Sequence, residues 1–237
     1  MPVILKRYGI AYFPVPKVAC SSIKHLLFLL EHGRNFEKYI DSDGRKHNIH
    51  NTVYPTLSTS EDNWSCAANL HRIAVVRDPV NRFVSAYNSR VVHFKELSET
   101  SIDPRKAALL GLTPDPHLDE FIDNLELYRI LSGAIKHHTD PQSFFLGHTL
   151  EYFEKVYKFE ELHTLESDLR ERTQLPVALP HMVKGSGAEN PSISAKRVHK
   201  IIEFYSGDYA LLNGLYSPES ATDKHVNGIR ELLRRLA

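Results

Sequence analysis

The sequence predicts an α/β fold with three layers, in which a mostly parallel central sheet is flanked by helices. Apolar, strand-like runs at 9–15 and 71–77 are each followed by a helical pattern. A third short strand, at 155–159, also precedes a helix. Strands that alternate with helices favour parallel pairing, because each helix carries the chain back along the sheet. We therefore expect one α/β domain over residues 1–237.

The first two helices have clear boundaries. The first presents apolar residues at i, i+3, i+4 and i+7, namely Ile23, Leu26, Leu27 and Leu30. Gly33 is a suitable end for it. Asp78 and Pro79 mark the start of the second helix, because Asp is a preferred N-cap and Pro a preferred first helical residue. We expect this helix to extend to about Phe94.

Further helices and loops are predicted along the rest of the chain. The helices are expected at 117–131, from 160 onward, and at 194–205, 207–213 and 222–236. Loops are expected at 95–116, 132–148 and 176–192, and the polar, turn-rich region 34–69 is assigned no element. Lys184-Gly185-Ser186-Gly187 is interpreted as a surface loop, with a lid over a bound nucleotide as the alternative.

Composition excludes several classes of protein. The 29 Lys and Arg balance the 29 Asp and Glu, so the formal net charge is zero. Non-specific nucleic-acid binders and membrane-surface proteins normally carry a basic excess, so we expect no nucleic-acid partner and only a local anion site. No run approaches the roughly 18 apolar residues of a membrane span. The only cysteines, Cys20 and Cys66, fit a reducing compartment.

The first strand-to-helix junction has the properties of an anion site. The backbone N–H groups of a first helical turn are unpaired, and the helix dipole is positive there. Lys17 adds a positive charge, and Ser21 and Ser22 add hydroxyl donors. The alternative is an ordinary capped turn with a solvated lysine. The P-loop pattern is absent, because both of its glycines are missing.

The second junction adds a cation at the end of a buried strand. Arg77 is at the carboxyl end of the predicted strand at 71–77, where open α/β sheets place their ligands. Arg82 and Ser85 are three residues apart and share one helix face. Arg77 and Ser85 can together hold a phosphate, to which arginine offers two parallel donors. The alternative is an Arg–Asp surface pair beside a solvated helix face.

Taken together, the two junctions resemble the sulfotransferases that depend on 3′-phosphoadenosine 5′-phosphosulfate (PAPS). The segments PKVACSSIK and VVRDPVNRFVSAY are most similar to the carbohydrate group, which contains the chondroitin and dermatan sulfotransferases. HHTDPQSFFLG, KVYKFEELHTLESDL and FYSGDYALLNGLY extend the resemblance over most of residues 9–216. Two positions differ: Ala19 stands where the family often has glycine, and Thr139 replaces an aromatic residue.

The resemblance implies a P-loop-like sulfotransferase fold and a set of binding residues. Lys17 would contact the 5′-phosphosulfate, helped by the loop residues Ala19, Cys20, Ser21 and Ser22. Arg77 and Ser85 would hold the 3′-phosphate. PAPS would be the co-substrate and 3′,5′-adenosine bisphosphate (PAP) the product, with no metal.

Transfer to a hydroxyl also needs a base, and histidine has a suitable pKa. His50 is favoured over His138, which matches the motif histidine of the Pro-Gln region, and a carboxylate stays open. His47 and His137 are nearby and are not assigned a role. A zinc site among these four histidines is disfavoured, because no HExxH, CxxC or CxxH spacing occurs. Cys20 is interpreted as a small packed residue, with a reactive thiol as the alternative.

The predicted function is therefore transfer of a sulfuryl group from PAPS to a hydroxyl, with a carbohydrate as the expected acceptor. Two alternatives stay open: an ATP-dependent small-molecule kinase of related fold, and an inactive nucleotide-binding module. Golgi relatives carry a membrane anchor and stem. Because no apolar run in this sequence is long enough for such an anchor, we expect a cytoplasmic enzyme, for example a bacterial one, and not a cropped Golgi catalytic domain. The net charge of zero favours a neutral sugar or another small hydroxyl compound over a polyanion.

Overall fold

A computed structural model describes residues 1–58, 64–180, 193–223 and 225. Residues 1–77 and 142–184 form one compact unit, and residues 78–141 and 185–237 form a second. The expectation of a single domain stays a prediction. The Lys184–Gly187 loop and nearly all of the helix expected at 222–236 lie outside the described residues.

The first unit is built on a four-stranded sheet. The strands of this unit are β1 (Val3–Leu5), β2 (Ile10–Phe13), β3 (Tyr39–Ile40), β4 (Lys46–His47), β5 (His71–Val76) and β6 (Lys155–Lys158). The main sheet has the order β1-β2-β5-β6, and β3 and β4 form a separate antiparallel pair. β2 pairs with β5, and β5 with β6, in parallel, while β1 is an antiparallel edge strand that the sequence did not predict. The expected mostly parallel sheet is confirmed.

Ten α-helices lie wholly within the described parts of the chain. They are α1 (Cys20–His32), α2 (Pro79–Tyr87), α3 (Pro104–Leu109), α4 (Leu118–Asp123), α5 (Leu125–Leu131), α6 (Gly133–Thr139), α7 (Ser143–Leu146), α8 (Leu162–Thr173), α9 (Ala195–Phe204) and α10 (Ser206–Leu211). α1 and α8 flank the sheet of the first unit, which confirms the expected α/β layering. None of the helices in the described residues is long and apolar enough to cross a membrane.

The parallel register brings three strand ends to one edge of the sheet. Phe13 lies opposite Ala74 and Val76 lies opposite Lys158, so β2, β5 and β6 end close together. The segments that follow are the turn at 14–19, Arg77 and Phe159. The carboxyl edge of a parallel sheet is where α/β proteins bind ligands, and here it carries both of the sequence-predicted junctions.

The boundaries of α1 and α2 agree with expectation, and the structure explains a change in winding after α2. Gly33 ends α1 in a left-handed conformation with φ of 67°. The Asp78 carboxylate caps α2 by accepting a hydrogen bond from the N–H of Asn81 at 2.9 Å. After Tyr87 the chain continues as a wider π-helical turn, Asn88–His93, that ends at Phe94. The predicted extent was therefore right, although the winding changes within it.

Several loop and helix predictions were wrong, and for α3 and α6 the reason is that the capping residues were read as loop signals. The loop expected at 95–116 contains α3, in which Asp103 caps the helix and Pro104 is its first residue. The loop expected at 132–148 contains α6 and α7, and Ser132 caps α6. The single helix expected at 117–131 is two helices, α4 and α5, separated by Asn124.

A buried ion pair connects several helices of the second unit. Arg82 and Asp208 are both fully buried and 3.9 Å apart. The Arg82 guanidinium also donates to the carbonyl of Asp140 at 2.6 Å and lies 5.2 Å from the ring of Tyr205. These contacts link α2 with the end of α6 and with α10. Arg82 is therefore part of the core, although it shares the sequence motif with Ser85.

Replacing Arg82 by methionine (Arg82→Met) should lower the free energy of unfolding by about 3–5 kcal/mol, because it removes a buried charge that compensates the Asp208 carboxylate. Urea denaturation followed by circular dichroism measures this loss. The exposed Arg105 on α3 is the matched control, and Arg105→Met should change the midpoint little. Equal stability of the two variants would contradict a structural role for Arg82.

Candidate functional site

The turn between β2 and α1 holds two residues in a strained backbone conformation. Lys17 has φ of 70° and Ala19 has φ of 63°, both in the left-handed region. For a residue with a side chain, this region costs about 1–2 kcal/mol. Such strain persists where the surrounding structure enforces it, and it concentrates at binding and catalytic sites. The turn therefore differs from an ordinary connection between a strand and a helix.

The strained turn leads directly into the first turn of α1. Ala19 is the N-cap residue, and its carbonyl accepts a hydrogen bond from the N–H of Ile23 at 3.1 Å. No side chain caps the helix at this end. Successive N–H groups around left-handed residues form a concave anion-binding surface. The conformation of Ala19 also explains why glycine, which adopts positive φ without strain, suits this position.

The first residues of α1 differ in exposure. Cys20 is a free thiol and is only 8% exposed, which agrees with the interpretation of a packed residue. Burial, and secondarily the neighbouring Cys20, raises the pKa of Tyr12. Ser21 and Ser22 are half-buried, and Ser21 is the one whose hydroxyl has a histidine partner.

His50 is held against Ser21 by a rigid local structure. Its ring Nε2 lies 2.8 Å from the Ser21 Oγ. His50 belongs to a π-helical turn, Ile49–Val53, and such turns are frequent at functional sites. The Asn48 side chain accepts hydrogen bonds from the N–H groups of His50 and Asn51, at 2.8 Å and 3.2 Å. This double cap fixes the backbone from which the imidazole projects.

Lys24 lies on the other side of the imidazole, and the sequence analysis did not identify it. Its side chain is fully buried, with Nζ 3.2 Å from His50 Nδ1 and 2.5 Å from the Thr56 Oγ1. Desolvation lowers the pKa of Lys24 to about 8, and nearby Cys20 acts in the opposite direction. The sequence did hold a signal: Lys24 precedes Leu27 by three residues and Phe28 by four, so it shares a helix face with these two apolar side chains, which are buried.

Arg77 connects the second junction to the first. Its Nη1 donates to the carbonyl of Lys17 at 3.2 Å, and its guanidinium lies 4.2 Å from the ring of Phe159. The residues that follow β2, β5 and β6 therefore contact one another. Lys17, which is half-exposed, and Arg77 bring two positive charges to the edge of the sheet.

Gln142 fixes the backbone of Arg77 and is a second residue whose role the sequence analysis missed. Its Oε1 accepts from the Arg77 N–H at 3.1 Å, and its Nε2 donates to the Arg77 carbonyl at 2.8 Å. The side chain is fully buried, and its amide pairs with both backbone groups of Arg77, as the backbone of a neighbouring strand would. Its position in the Pro-Gln segment was the available signal.

Ser85 and His138, two of the predicted site residues, belong to the second unit. Ser85 is half-buried on α2. His138 lies on α6, where its Nδ1–H donates to the carbonyl of Ala134 at 2.8 Å. The next residue, Thr139, is buried and donates its hydroxyl to the carbonyl of Ile135 at 2.8 Å. Thr139 therefore stabilises the end of α6.

The other candidate histidines have structural contacts. His47 Nε2 lies 2.8 Å from the Asp41 carboxylate, and its ring stacks on Tyr39 with 4.5 Å between centroids. The rings of His137 and His138 meet edge to face at 5.0 Å. Within residues 1–58, 64–180, 193–223 and 225, no group of three His, Cys, Asp or Glu side chains could hold a metal ion.

The arrangement in the first unit can bind an anion and move a proton. The strained turn, Lys17 and Arg77 provide N–H donors and positive charge at one edge of the sheet. Beside this turn, the contacts from Ser21 through His50 to Lys24 form a chain of proton donors and acceptors. Anion binding next to a positioned imidazole is suited to transfer of a charged group to a hydroxyl.

Replacing Ala19 by glycine (Ala19→Gly) should raise the free energy of unfolding by about 1 kcal/mol, because glycine relieves the left-handed strain at φ of 63°. Urea denaturation measures the gain. The matched control is Ala108→Gly on α3, which should be destabilising by about 0.5–1 kcal/mol, as for glycine within a helix. Loss of stability in both variants would contradict strain at Ala19.

The comparisons with known proteins place the chain in a family. A model described as the sulfotransferase family matches residues 2–217, which is most of the sequence and covers parts of both units. No curated protein and no solved structure gives a significant match. The matched region contains the strained turn, the β5 end with Arg77, and the His50 segment described above. The chain belongs to the sulfotransferase family.

Proposed function

We propose that this sulfotransferase uses PAPS as its donor and transfers the sulfuryl group to a hydroxyl of a carbohydrate acceptor. The observation that carries the proposal is the contact between Arg77 Nη1 and the Lys17 carbonyl at the carboxyl edge of the sheet. It joins the two motifs that resemble the 5′-phosphosulfate and 3′-phosphate segments of PAPS-dependent enzymes. The family membership supports sulfuryl transfer in general, and the motifs support the donor.

The turn at 14–19 and the start of α1 would bind the 5′-phosphosulfate. Its N–H groups, including those of Ala19 and Cys20, offer donors, and the Lys17 ammonium offers a mobile charge. The hydroxyls of Ser21 and Ser22 add donors at the first turn of the helix. These interactions need no metal, because backbone dipoles and one cation supply the positive potential.

Arg77 would bind the 3′-phosphate. Gln142 and Phe159 position it, one through the backbone and the other through the guanidinium face. A guanidinium held in this way can give two parallel hydrogen bonds to a phosphate. The assignment of Ser85 to the same phosphate rests on the sequence resemblance.

The transfer itself is an in-line displacement at sulfur. The acceptor oxygen forms a new bond to sulfur, and the bond from sulfur to the 5′-phosphate oxygen breaks, leaving its electron pair on PAP. The acceptor proton passes to a base, for which we propose His50, with His138 as the alternative. Lys17 stabilises the charge that develops on the leaving phosphate. As in phosphoryl transfer, positioning and electrostatics supply most of the catalysis.

The acceptor and the compartment are proposed from general properties of the chain. The net charge of zero favours a neutral sugar or a small glycoconjugate over a long polyanion, which would need a basic groove. Two free cysteines are compatible with a cytoplasmic location.

Calorimetric titration without magnesium should show that PAP binds much more tightly than AMP, because only PAP carries the 3′-phosphate. Arg77→Ala should reduce PAP affinity by about 10–100-fold, the loss expected for a charged hydrogen-bonding partner, and should leave AMP affinity nearly unchanged. Arg105→Ala is the control and should bind both nucleotides like the unaltered protein.

Other outcomes of the titration would change the proposed function. An equal loss of PAP and AMP affinity in Arg77→Ala would remove Arg77 from the 3′-phosphate. Binding of ATP only after magnesium is added, with no binding of PAP, would favour a kinase. Tight PAP binding with no transfer to any acceptor would favour an inactive nucleotide-binding module.

His50→Ala should lower the single-turnover rate of sulfuryl transfer by about 10²–10⁴-fold, the usual contribution of general-base catalysis, with little change in PAP affinity. His138→Ala is the comparison. Rapid-quench measurements with bound PAPS and excess acceptor give both rates. A large loss in His138→Ala alone would assign the base to His138, and unchanged rates in both would indicate a carboxylate.

A further inference from the structure

The Nδ1 atom of the His50 ring has an unusual partner, the amino group of Lys24. A catalytic imidazole is commonly oriented by a carboxylate or a carbonyl, but here Nδ1 faces the Nζ of Lys24 at 3.2 Å. The Lys24 side chain is fully buried, and it forms no ion pair with any residue that the structure describes. A lysine in this setting is stabilised by the groups it contacts, namely His50 and Thr56.

Proton counting links the state of Lys24 to that of His50. A charged ammonium can only donate, so a bond to Nδ1 requires Nδ1 to be the acceptor. Neutral His50 then carries its proton on Nε2 and donates it to the Ser21 Oγ. In this state Nε2 cannot accept a proton. If Lys24 is neutral, Nδ1–H can donate to Nζ instead, and Nε2 becomes a proton acceptor.

We propose that Lys24 is a positioning residue that controls the tautomer of His50, so that His50 can act as a base only when Lys24 is unprotonated. This inference rests on the proposed function for its effect on sulfuryl transfer. The tautomer itself is a property of the protein without ligands.

The reaction step balances without any further reactant. As the bond from the acceptor oxygen to sulfur forms, the acceptor proton moves to Nε2 and the proton on Nδ1 moves to the neutral Nζ. His50 ends as a neutral imidazole and Lys24 as an ammonium. The bond from sulfur to the 5′-phosphate breaks with its electron pair on PAP. Release of the Lys24 proton to solvent restores the starting state.

The groups around Lys24 determine the pH at which it loses its proton, and with it the pH at which the His50 tautomer changes. Desolvation lowers its pKa to about 8, whereas nearby Cys20 raises it. The amino group of Met1 is a further nearby charge, and its own pKa is lowered by burial and then by Lys24. The remaining contacts, Thr56 and the Ser21 hydroxyl beyond His50, do not titrate in this range. Protonated Lys24 is favoured below about pH 8 and neutral Lys24 above it.

Nitrogen NMR of protein labelled with ¹⁵N-histidine tests the inference directly, because the two tautomers give distinct shifts. The His50→Gln variant identifies the His50 signals. We expect the Nε2–H form near pH 6.5 and the Nδ1–H form near pH 9.5. In Lys24→Met this change should disappear. The signals of His47, which is paired with Asp41, should be the same in both proteins and serve as the internal control.

Lys24→Gln is the second variant, since its amide keeps a polar group beside Thr56 but does not titrate. It should also abolish the change of tautomer. A single His50 tautomer across the whole range in the unaltered protein would overturn the inference. So would a change that persists in either folded variant.

The pH dependence of sulfuryl transfer is the second readout. In the unaltered protein the single-turnover rate should be roughly tenfold lower at about pH 7 than at about pH 9, as for a base that requires one deprotonation near pH 8. Lys24→Met and Lys24→Gln should lack this inflection. Its persistence in both would overturn the inference. Absence of all PAPS turnover would refute the proposed function, while the NMR result would still decide the role of Lys24.

Discussion

The parallel pairing of β2 with β5 and of β5 with β6 is the constraint on which the first unit depends. Because these strands run in the same direction and in register, their carboxyl ends reach one edge of the sheet. The turn at 14–19, Arg77 and Phe159 are far apart in sequence and meet there. A one-residue slip in either pairing would reverse the facing of every side chain on the strand.

Polar contacts at this edge hold charge in place. Gln142 pairs with both backbone groups of Arg77, while the face of Phe159 supports the guanidinium. Lys17 is held differently, by a strained backbone and by the hydrogen bond from Arg77 to its carbonyl. A site that is organised before its ligand arrives loses less free energy to reorganisation when an anion binds.

Ser21, His50 and Lys24 form a connected row of hydrogen-bonding side chains against one face of α1. Ser21 and Lys24 are three residues apart on α1 and therefore share a face, and the π-helical turn places His50 between their side chains. Burial of Lys24 lowers its pKa, which brings a lysine into the range where it can exchange protons with an imidazole. The second unit is stabilised differently, by a hydrophobic core of aliphatic and aromatic side chains and by the buried pair of Arg82 and Asp208.

Local patterns were sufficient to predict much of the fold. The β2, β5 and β6 strands, the start of α2 and the end of α1 follow from apolar runs and capping residues, which act over a few neighbours. The edge strand β1 and the helix α7 were missed because they are only three and four residues long, and α3 and α6 were missed because their caps resemble loop signals. Proline at a first helical position looks the same in sequence as proline in a loop.

The sequence by itself determined the family and the residue types at both junctions, and it narrowed the histidine candidates for the base to His50 and His138. Only the tertiary structure decided which of those residues meet, because hydrogen bonds between segments far apart in sequence leave no local pattern. Lys24 acquired a role only through its burial and its contact with His50. Gln142 likewise acquired a role only when the sheet brought β5 beside it, since a buried amide is recognised by the backbone groups it must satisfy.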